Sequence, residues 1–462
     1  MQNRRNFVKS SLALPMMMSG GSVLGTMGAF NARAADVEGY RALVCVFLFG
    51  GMDCHDTVLP FDTSSYNNYS QIRSSLLASY ANQPGGSSRT RGSLLALDPA
   101  TARFGGRQFA LPPQMGAMHQ LFEQGNAAIV GNVGPLSEPT TRGTFANGSA
   151  ALPARLFSHN DQQSTWMSFA PEGSQLGWGG RFGDVATQNG ANSQTIFSQI
   201  SLFGNSVFLT GDRVSPYQIG VDGVPTIRLL ELTNGAQRNV LRDHFASTGA
   251  QRSNLYERDF INLSQVSLDA NDTLDNALQG ASSISTPFPA SFLGGQLRAV
   301  AQTMAARGSL GASRQIFFVG LGGFDTHSAQ AADLPGLQQD LGDSIAAFYS
   351  ATQELGIAND VTTFTAADFG RTLTVNGDGT DHGWGSHHFV VGGAVKGGDI
   401  YGDIPVSQLG HDQDAGNGRL IPSVSVEQYA APLGAWYGLN QSELNLALPG
   451  LAAFPDGGLG FL

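Results

Sequence analysis

Three times in this chain a short apolar run ends in small residues and hands over to an acid. Leu43-Val44-Cys45-Val46-Phe47-Leu48-Phe49 runs into Gly50-Gly51-Met52-Asp53. Ile316-Phe317-Phe318-Val319 passes through Gly320-Leu321-Gly322-Gly323-Phe324 to Asp325-Thr326-His327, and Val361 to Phe364 leads through Thr365-Ala366-Ala367 to Asp368-Phe369-Gly370-Arg371-Thr372. A run with no polar face is a strand buried from both sides, as the central strands of a parallel sheet are. Parallel strands need long crossovers, and Leu334, Leu337, Leu341, Ile345, Phe348 and Leu355 supply one at helical spacing. Pro112 to Gln124, with Met115, Met118, Leu121 and Phe122 on one face, followed by Ala127-Ala128-Ile129-Val130, repeats the rhythm. The expected fold is α/β, a doubly wound, mainly parallel sheet with helices on both faces.

In such a sheet ligands bind beyond the carboxyl ends of the strands, so Asp53, Asp325 and Asp368 would share one rim. The segment from Gly379 to His388 adds His382, His387 and His388, which with His327 places four of the nine histidines between 327 and 388. Carboxylates and imidazoles together are the ligand set of zinc, manganese or a similar cation. One acid in a Gly-rich loop usually caps a turn. Three clusters at successive strand ends point instead to a metal or polar catalytic site.

The first 34 residues read as an address: Arg4-Arg5 before Phe7, a moderately apolar Ser- and Gly-rich stretch, and Ala32-Arg33-Ala34 as a cleavage site. The expectation is twin-arginine export by the Tat translocation machinery, to the periplasm or beyond. One domain would follow over 35–462, with a mixed insertion or cap at 187–309: strand-like pieces at Ser206 to Leu209 and Thr226 to Leu230, then helices around Asn239 to Ala277 and Phe292 to Ala306. No later run offers the roughly twenty apolar residues of a membrane span. The net charge is −11, and residues 1–34 carry four bases and no acid, so their removal makes the balance more acidic. That argues against nucleic acid or an anionic membrane as partner. Cys45 in a strand and Cys54 in the loop after it would have to fold back at once to pair, so free thiols are expected.

Taken together, the twin-arginine start, Phe49-Gly50-Gly51-Met52-Asp53, Leu156-Phe157-Ser158-His159-Asn160-Asp161-Gln162, Gly322 to His327, Asp368 to Thr372, and Thr380-Asp381-His382-Gly383 through Gly392-Gly393 and Lys396-Gly397-Gly398 resemble the DUF1501 family. These are exported bacterial proteins of unassigned function, placed in the alkaline phosphatase/sulfatase superfamily. The resemblance covers nearly all of the chain after residue 34 and is weakest between about Ala186 and Leu310. It implies an alkaline phosphatase-like core, a small anionic phosphate or sulfate ester as substrate, and one or two divalent cations, zinc first, with Mn, Ca or Mg as the others. Residue by residue it implies Asp53 and Asp368 as ligands of one ion and Asp325, His327 and His382 as ligands of the other. It also implies a nucleophile at a helix start, for which Ser158 is the candidate, ahead of a helix beginning at Asn160 or Asp161 and with His159 beside it; separately, Arg371, close behind Asp368, has the position of an anion-binding fork. Plainer readings stand beside these: Ser158 as an N-cap and Arg371 as partner of a neighbouring acid.

The chain departs from the superfamily pattern at Phe369, where phosphatases follow the later Asp with a His; the missing imidazole would have to come from His55, His159, His387 or His388. Cys54-His55-Asp56-Thr57-Val58 lacks the sulfatase Cys-x-Pro-x-Arg signal, which argues against formylglycine chemistry. Loss of that histidine also leaves room for a non-catalytic, metal-containing envelope protein that binds a ligand or partner. His411 is a candidate rim residue, whereas His119 and His244 read as surface or packing residues.

Overall fold

The computed structural model describes residues 37–83, 88–223, 253–454 and 458–462, with a few positions between 235 and 243. The export signal at 1–34, the strand expected at Thr226 to Leu230 and His244 lie outside the described residues. In chain order the strands are β1 (Arg41–Leu48), β2 (Leu59–Pro60), β3 (Leu95–Ala96), β4 (Phe109–Leu111), β5 (Ala127–Gly134), β6 (Gln199–Ser201), β7 (Tyr217–Gln218), β8 (Arg314–Leu321), β9 (Val361–Ala367), β10 (Ser386–Val391), β11 (Ile400–Gly402) and β12 (Val424–Ser425). The main sheet runs β11-β5-β10-β9-β1-β8-β6-β7, with β12 also pairing with β5; β2, β4 and β3 form a separate small sheet. β1 lies parallel between β8 and β9, and β10 alone runs against its neighbours β9 and β5. The sheet is therefore largely parallel.

The alternation along β1 explains why its sequence is apolar throughout. Ala42, Val44, Val46 and Leu48 face one core, shared with the helices Gly116–Glu123, Phe292–Ala305 and Gln330–Glu354. Leu43, Cys45 and Phe47 face the other, shared with His159–Ser168, Trp178–Gln188 and Val426–Tyr437. Each fully buried Val, Leu or Phe contributes about 1.5–3 kcal/mol, so neither face tolerates a polar residue without loss. The crossover Gln330–Glu354 buries Leu334, Leu341, Ile345 and Phe348, the stripe its sequence predicts.

Within 187–309, β6 extends the main sheet by pairing with β8, β7 pairs with β6, and Phe292–Ala305 packs on Gln330–Glu354. Ser206 to Leu209, expected as a strand, makes a single helical turn at Val207–Leu209 because the Ser206 hydroxyl accepts from Phe208 N–H and starts it. Among the described residues no helix is long and apolar enough to cross a membrane. Cys45 and Cys54 are both buried and free, and burial pushes the Cys54 thiol up to about 12.

The helix Val426–Tyr437 opens with a reciprocal cap between Ser425 and Gln428, and its second residue, Glu427, is buried against a cavity of about 140 Å³. Burial pushes the Glu427 carboxyl from an ordinary 4.5 up to about 7. A raised carboxyl pKa makes the folded state hold its proton longer than the unfolded chain does. The associated stability is complete below about pH 4.5 and is lost as pH rises through 7. Glu427→Gln is expected to remove that loss, stabilising the chain at pH 8 by on the order of 3 kcal/mol while changing little at pH 4.5. Urea unfolding at the two pH values checks the difference.

Candidate metal centre

The sheet geometry decides which loops meet. β1, β8 and β9 are parallel neighbours, so the segments following Leu48, Leu321 and Ala367 leave on one side. Because β10 runs against β9, the connection from Asp368 to Gly385 departs and returns at that same edge, carrying His382 with it. The helix His159–Ser168 brings the fourth contribution.

Close approach at the centre of this rim depends on two glycines. Gly50 has φ +112°, and a Cβ there would lie 2.3 Å from Asp325 N; Gly51 has φ +86°, and its Cβ would lie 2.5 Å from the Phe369 ring. Gly50 N–H donates to Asp368 Oδ2 (3.2 Å), and its carbonyl accepts from Arg371 Nη1 (3.0 Å). Gly50→Ala combines backbone strain of about 1–3 kcal/mol with this collision. It is expected to lower stability by at least that amount in urea unfolding and to displace Asp325.

Around these glycines His159, Asp325 and His382 form a group able to hold a metal ion. Their facing atoms are His159 Nε2, His382 Nε2 and Asp325 Oδ1, at 3.0 Å for the two imidazoles and 3.4 and 3.3 Å from each to the carboxylate. His327 Nε2 joins at 2.8 Å from His382 Nε2 and 3.2 Å from Asp325 Oδ1. Donor atoms sharing a tetrahedral cation at about 2.0–2.1 Å stand about 3.3 Å apart, so the spacing of the first three fits.

The outer hydrogen bonds fix which imidazole nitrogens face inward as bases. His382 Nδ1 lies 2.7 Å from the Phe157 carbonyl, which can only accept, so Nδ1 carries the proton. His159 Nδ1 lies 2.6 Å from Asp368 Oδ2, an oxygen that already accepts from Gly50 N–H and from Gln163 Nε2 (2.9 Å). In the neutral rings both Nε2 atoms are therefore lone pairs, pointed at each other. His327 repeats the arrangement, with Nδ1 3.3 Å from Asp381 Oδ1. Imidazoles oriented through Nδ1 by a carboxylate or carbonyl are how proteins present Nε2 to a cation. Phe157 takes a left-handed φ of 71°, which delivers its carbonyl to His382, while Arg419 stacks on its ring at 5.2 Å.

Titration behaviour follows from these contacts. The Asp368 hydrogen bond raises the His159 pKa, and burial lowers that of His382. Burial works against ionisation of Asp325, but the Arg371 guanidinium, donating to Oδ1 at 2.8 Å, holds its carboxyl below the usual range.

The other residues singled out in the sequence are engaged in contacts of their own. Asp53 is buried in a two-pronged pair with Arg73 (2.6 and 3.0 Å) and also accepts from Gln330 Nε2 (2.6 Å) and His55 N–H (3.1 Å). Its acceptor sites are turned inward on the protein rather than toward the imidazoles. His387 and His388 lie in β10 within the core, and burial lowers each to about 3; His387 Nδ1 accepts from Asn132 N–H and His388 Nδ1 meets Thr365 Oγ1. His55 bonds the Gly418 carbonyl, and His411 Nδ1 accepts from Gln413 N–H. Ser158 is the N-cap residue of its helix, which begins at His159, and its hydroxyl donates to Asp161 Oδ2 (3.0 Å). Arg371 is fully buried and spends its bonds on Asp325, Gly50 and Thr380. Gln163 and Asp381 were not singled out: Gln163 follows His159 by one helical turn, a spacing that could have exposed it, and Asp381 sits beside His382.

None of the curated proteins is similar to this chain in sequence. Among solved structures, Ps i-CgsB in complex with k-i-k-neocarrahexaose superposes with a TM-score of 0.36 at 8% identity, covering 91% of this chain and 77% of that one. A protein from work on the metabolism of multiple glycosaminoglycans by Bacteroides thetaiotaomicron superposes with a TM-score of 0.29 at 11% identity, covering 79% of this chain and 69% of that one. The family model described as "Protein of unknown function (DUF1501)" matches residues 40–444, and the chain belongs to that family.

Proposed function

We propose that this protein is a metal-dependent hydrolase of phosphate or sulfate esters, with one divalent cation held by His159, Asp325 and His382 and His327 beside them. The observation that carries this reading is the pair of inward Nε2 lone pairs 3.0 Å apart next to a carboxylate. Facing lone pairs repel, and a cation between them turns that repulsion into binding. Asp368 adds to the fit: it orients His159 through Oδ2, while Oδ1 is buried with no hydrogen-bond partner among the described residues. A bound cation supplies Lewis acidity and a low-pKa nucleophile for ester cleavage. The chain's own residues do the positioning. Asp368 and the Phe157 carbonyl hold the rings, Arg371 keeps Asp325 ionised, and Gly50 and Gly51 let the loops close together.

Phe369 favours one ion over two. Its buried ring packs on His159 and His382 at centroid distances of 4.8 and 4.7 Å, occupying the flank where further ligands would stand. The same residue, with the Ser158 hydroxyl engaged by Asp161, favours a second reading in which the site binds metal and an envelope ligand without turnover. The separating experiment measures metals per chain after purification and assays p-nitrophenyl phosphate and p-nitrophenyl sulfate with each metal restored. One equivalent of metal with hydrolysis supports the enzyme, and metal without hydrolysis of any tested ester supports the binding protein. Absence of metal removes both.

A further inference from the structure

A cleft of about 700 Å³ opens alongside the candidate metal centre. Asn160, Gln163, Ser164 and Met167 line one wall, successive positions on one face of the helix that begins with His159. Gln163 belongs to both places, since its Nε2 donates to Asp368 Oδ2. The facing wall is aromatic. Phe49, next to Gly50, stacks on Phe203 at 4.9 Å and 21°, and Phe203 meets Phe292 edge-on at 6.1 Å. Phe292 is 57% exposed, an aromatic surface left in contact with water at the mouth of a cleft. Asn205 and Ser174 add polar groups at the rim. Among the described residues, those lining the cleft include Glu172 but no Lys, Arg or His.

We infer that this cleft receives a neutral sugar ring, the uncharged part of the substrate whose ester reaches the metal centre; only that last clause rests on the hydrolase reading. The C–H face of a sugar ring lies against an aromatic face, while its hydroxyls both donate and accept, as amide and hydroxyl side chains do. An aliphatic chain would leave the amides of Asn160 and Asn205 without partners as it displaced their water. A polyanion would find no cationic side chain among the described lining residues and would meet Glu172 instead. The charge of the substrate therefore belongs at the metal centre and not in the cleft.

The test uses the whole chain, both metal-loaded and dialysed against chelator, with saturation-transfer NMR on cellobiose, lactose, N,N′-diacetylchitobiose and a heparin-derived disaccharide. At least one neutral disaccharide is expected to give signal at millimolar concentration in both forms. Phe292→Ala and Asn205→Ala, both at exposed positions, are expected to weaken it about tenfold each. Preference for the sulfated disaccharide in the metal-free protein, no signal from any neutral sugar, or signal unchanged in both variants overturns the inference. Because the metal-free form is read directly, failure of the cleft and failure of the metal centre remain separate results.

Discussion

Asp53→Asn is expected to destabilise the folded chain by about 3–5 kcal/mol while leaving the metal content of the folded protein unchanged. Both Asp53 oxygens lie on the Arg73 guanidinium, and both side chains are fully buried. Asparagine keeps the shape and one acceptor oxygen but removes the charge and turns an amide NH2 toward Arg73, which would keep the Leu373 and Thr372 carbonyls and, as a carboxylate, Asp56 at 3.9 Å. An uncompensated buried cation is the costly product, more than the lost attraction itself. Urea unfolding of metal-free protein measures the effect. Replacing both partners, Asp53→Leu with Arg73→Met, should recover much of the loss, because it leaves neither charge stranded. If instead Asp53→Asn lost metal with its metal-free stability intact, Asp53 would be a ligand and the contacts with Arg73 incidental.

This residue shows where sequence reasoning reaches and where it stops. The three acid-ended strands were legible because strands buried on two faces exclude polar side chains, so the first acid after each run marks where the sheet gives out. Asp325 and His327 follow from that logic, since loops after parallel neighbours share a rim, whereas His382 is carried to it by β10 returning antiparallel to β9, a direction its sequence does not announce. Which way each acid turns was not legible. Asp53 sits at the same kind of strand end as Asp325, yet Arg73, between the helices Thr63–Ile72 and Ser74–Ala81, claims it through a contact that no local spacing announces. His387 and His388 did carry a warning: they lead directly into Phe389-Val390-Val391, the apolar part of a buried strand. His159, one of several imidazoles the sequence offered in place of the missing one, opens its helix instead of preceding a start at Asn160 or Asp161, with Ser158 as the cap, and joins the group able to hold a metal.

On the proposed metal reading, Asp325→Ala is expected to leave the purified protein without a bound divalent cation and without any ester hydrolysis that depends on one. Asp325 supplies the carboxylate of the inward-facing donor set, and its Oδ1 lies within 3.4 Å of the Nε2 atoms of His159, His327 and His382. Without it the site is imidazoles facing Arg371, whose buried guanidinium stays in place on Gly50 and Thr380. A cation would then meet a positive charge where its counter-charge had been. Removing a partner that only orients a ligand typically costs 10–100-fold in metal affinity, and loss of Asp325 should exceed that. Asp368→Asn provides the graded comparison. It keeps the side chain beside His159 Nδ1 but weakens the acceptor that fixes the tautomer, so affinity should fall by about 10–100-fold without disappearing. The fold should survive Asp325→Ala at some cost in stability, because the Asp325 side chain is 46% exposed and the buried Arg371 that loses its carboxylate keeps Gly50 and Thr380. Elemental analysis and calorimetric metal titration of both variants give the ordering. Full metal occupancy in Asp325→Ala would mean that the cation is held without this carboxylate, and the hydrolase proposal would lose its centre.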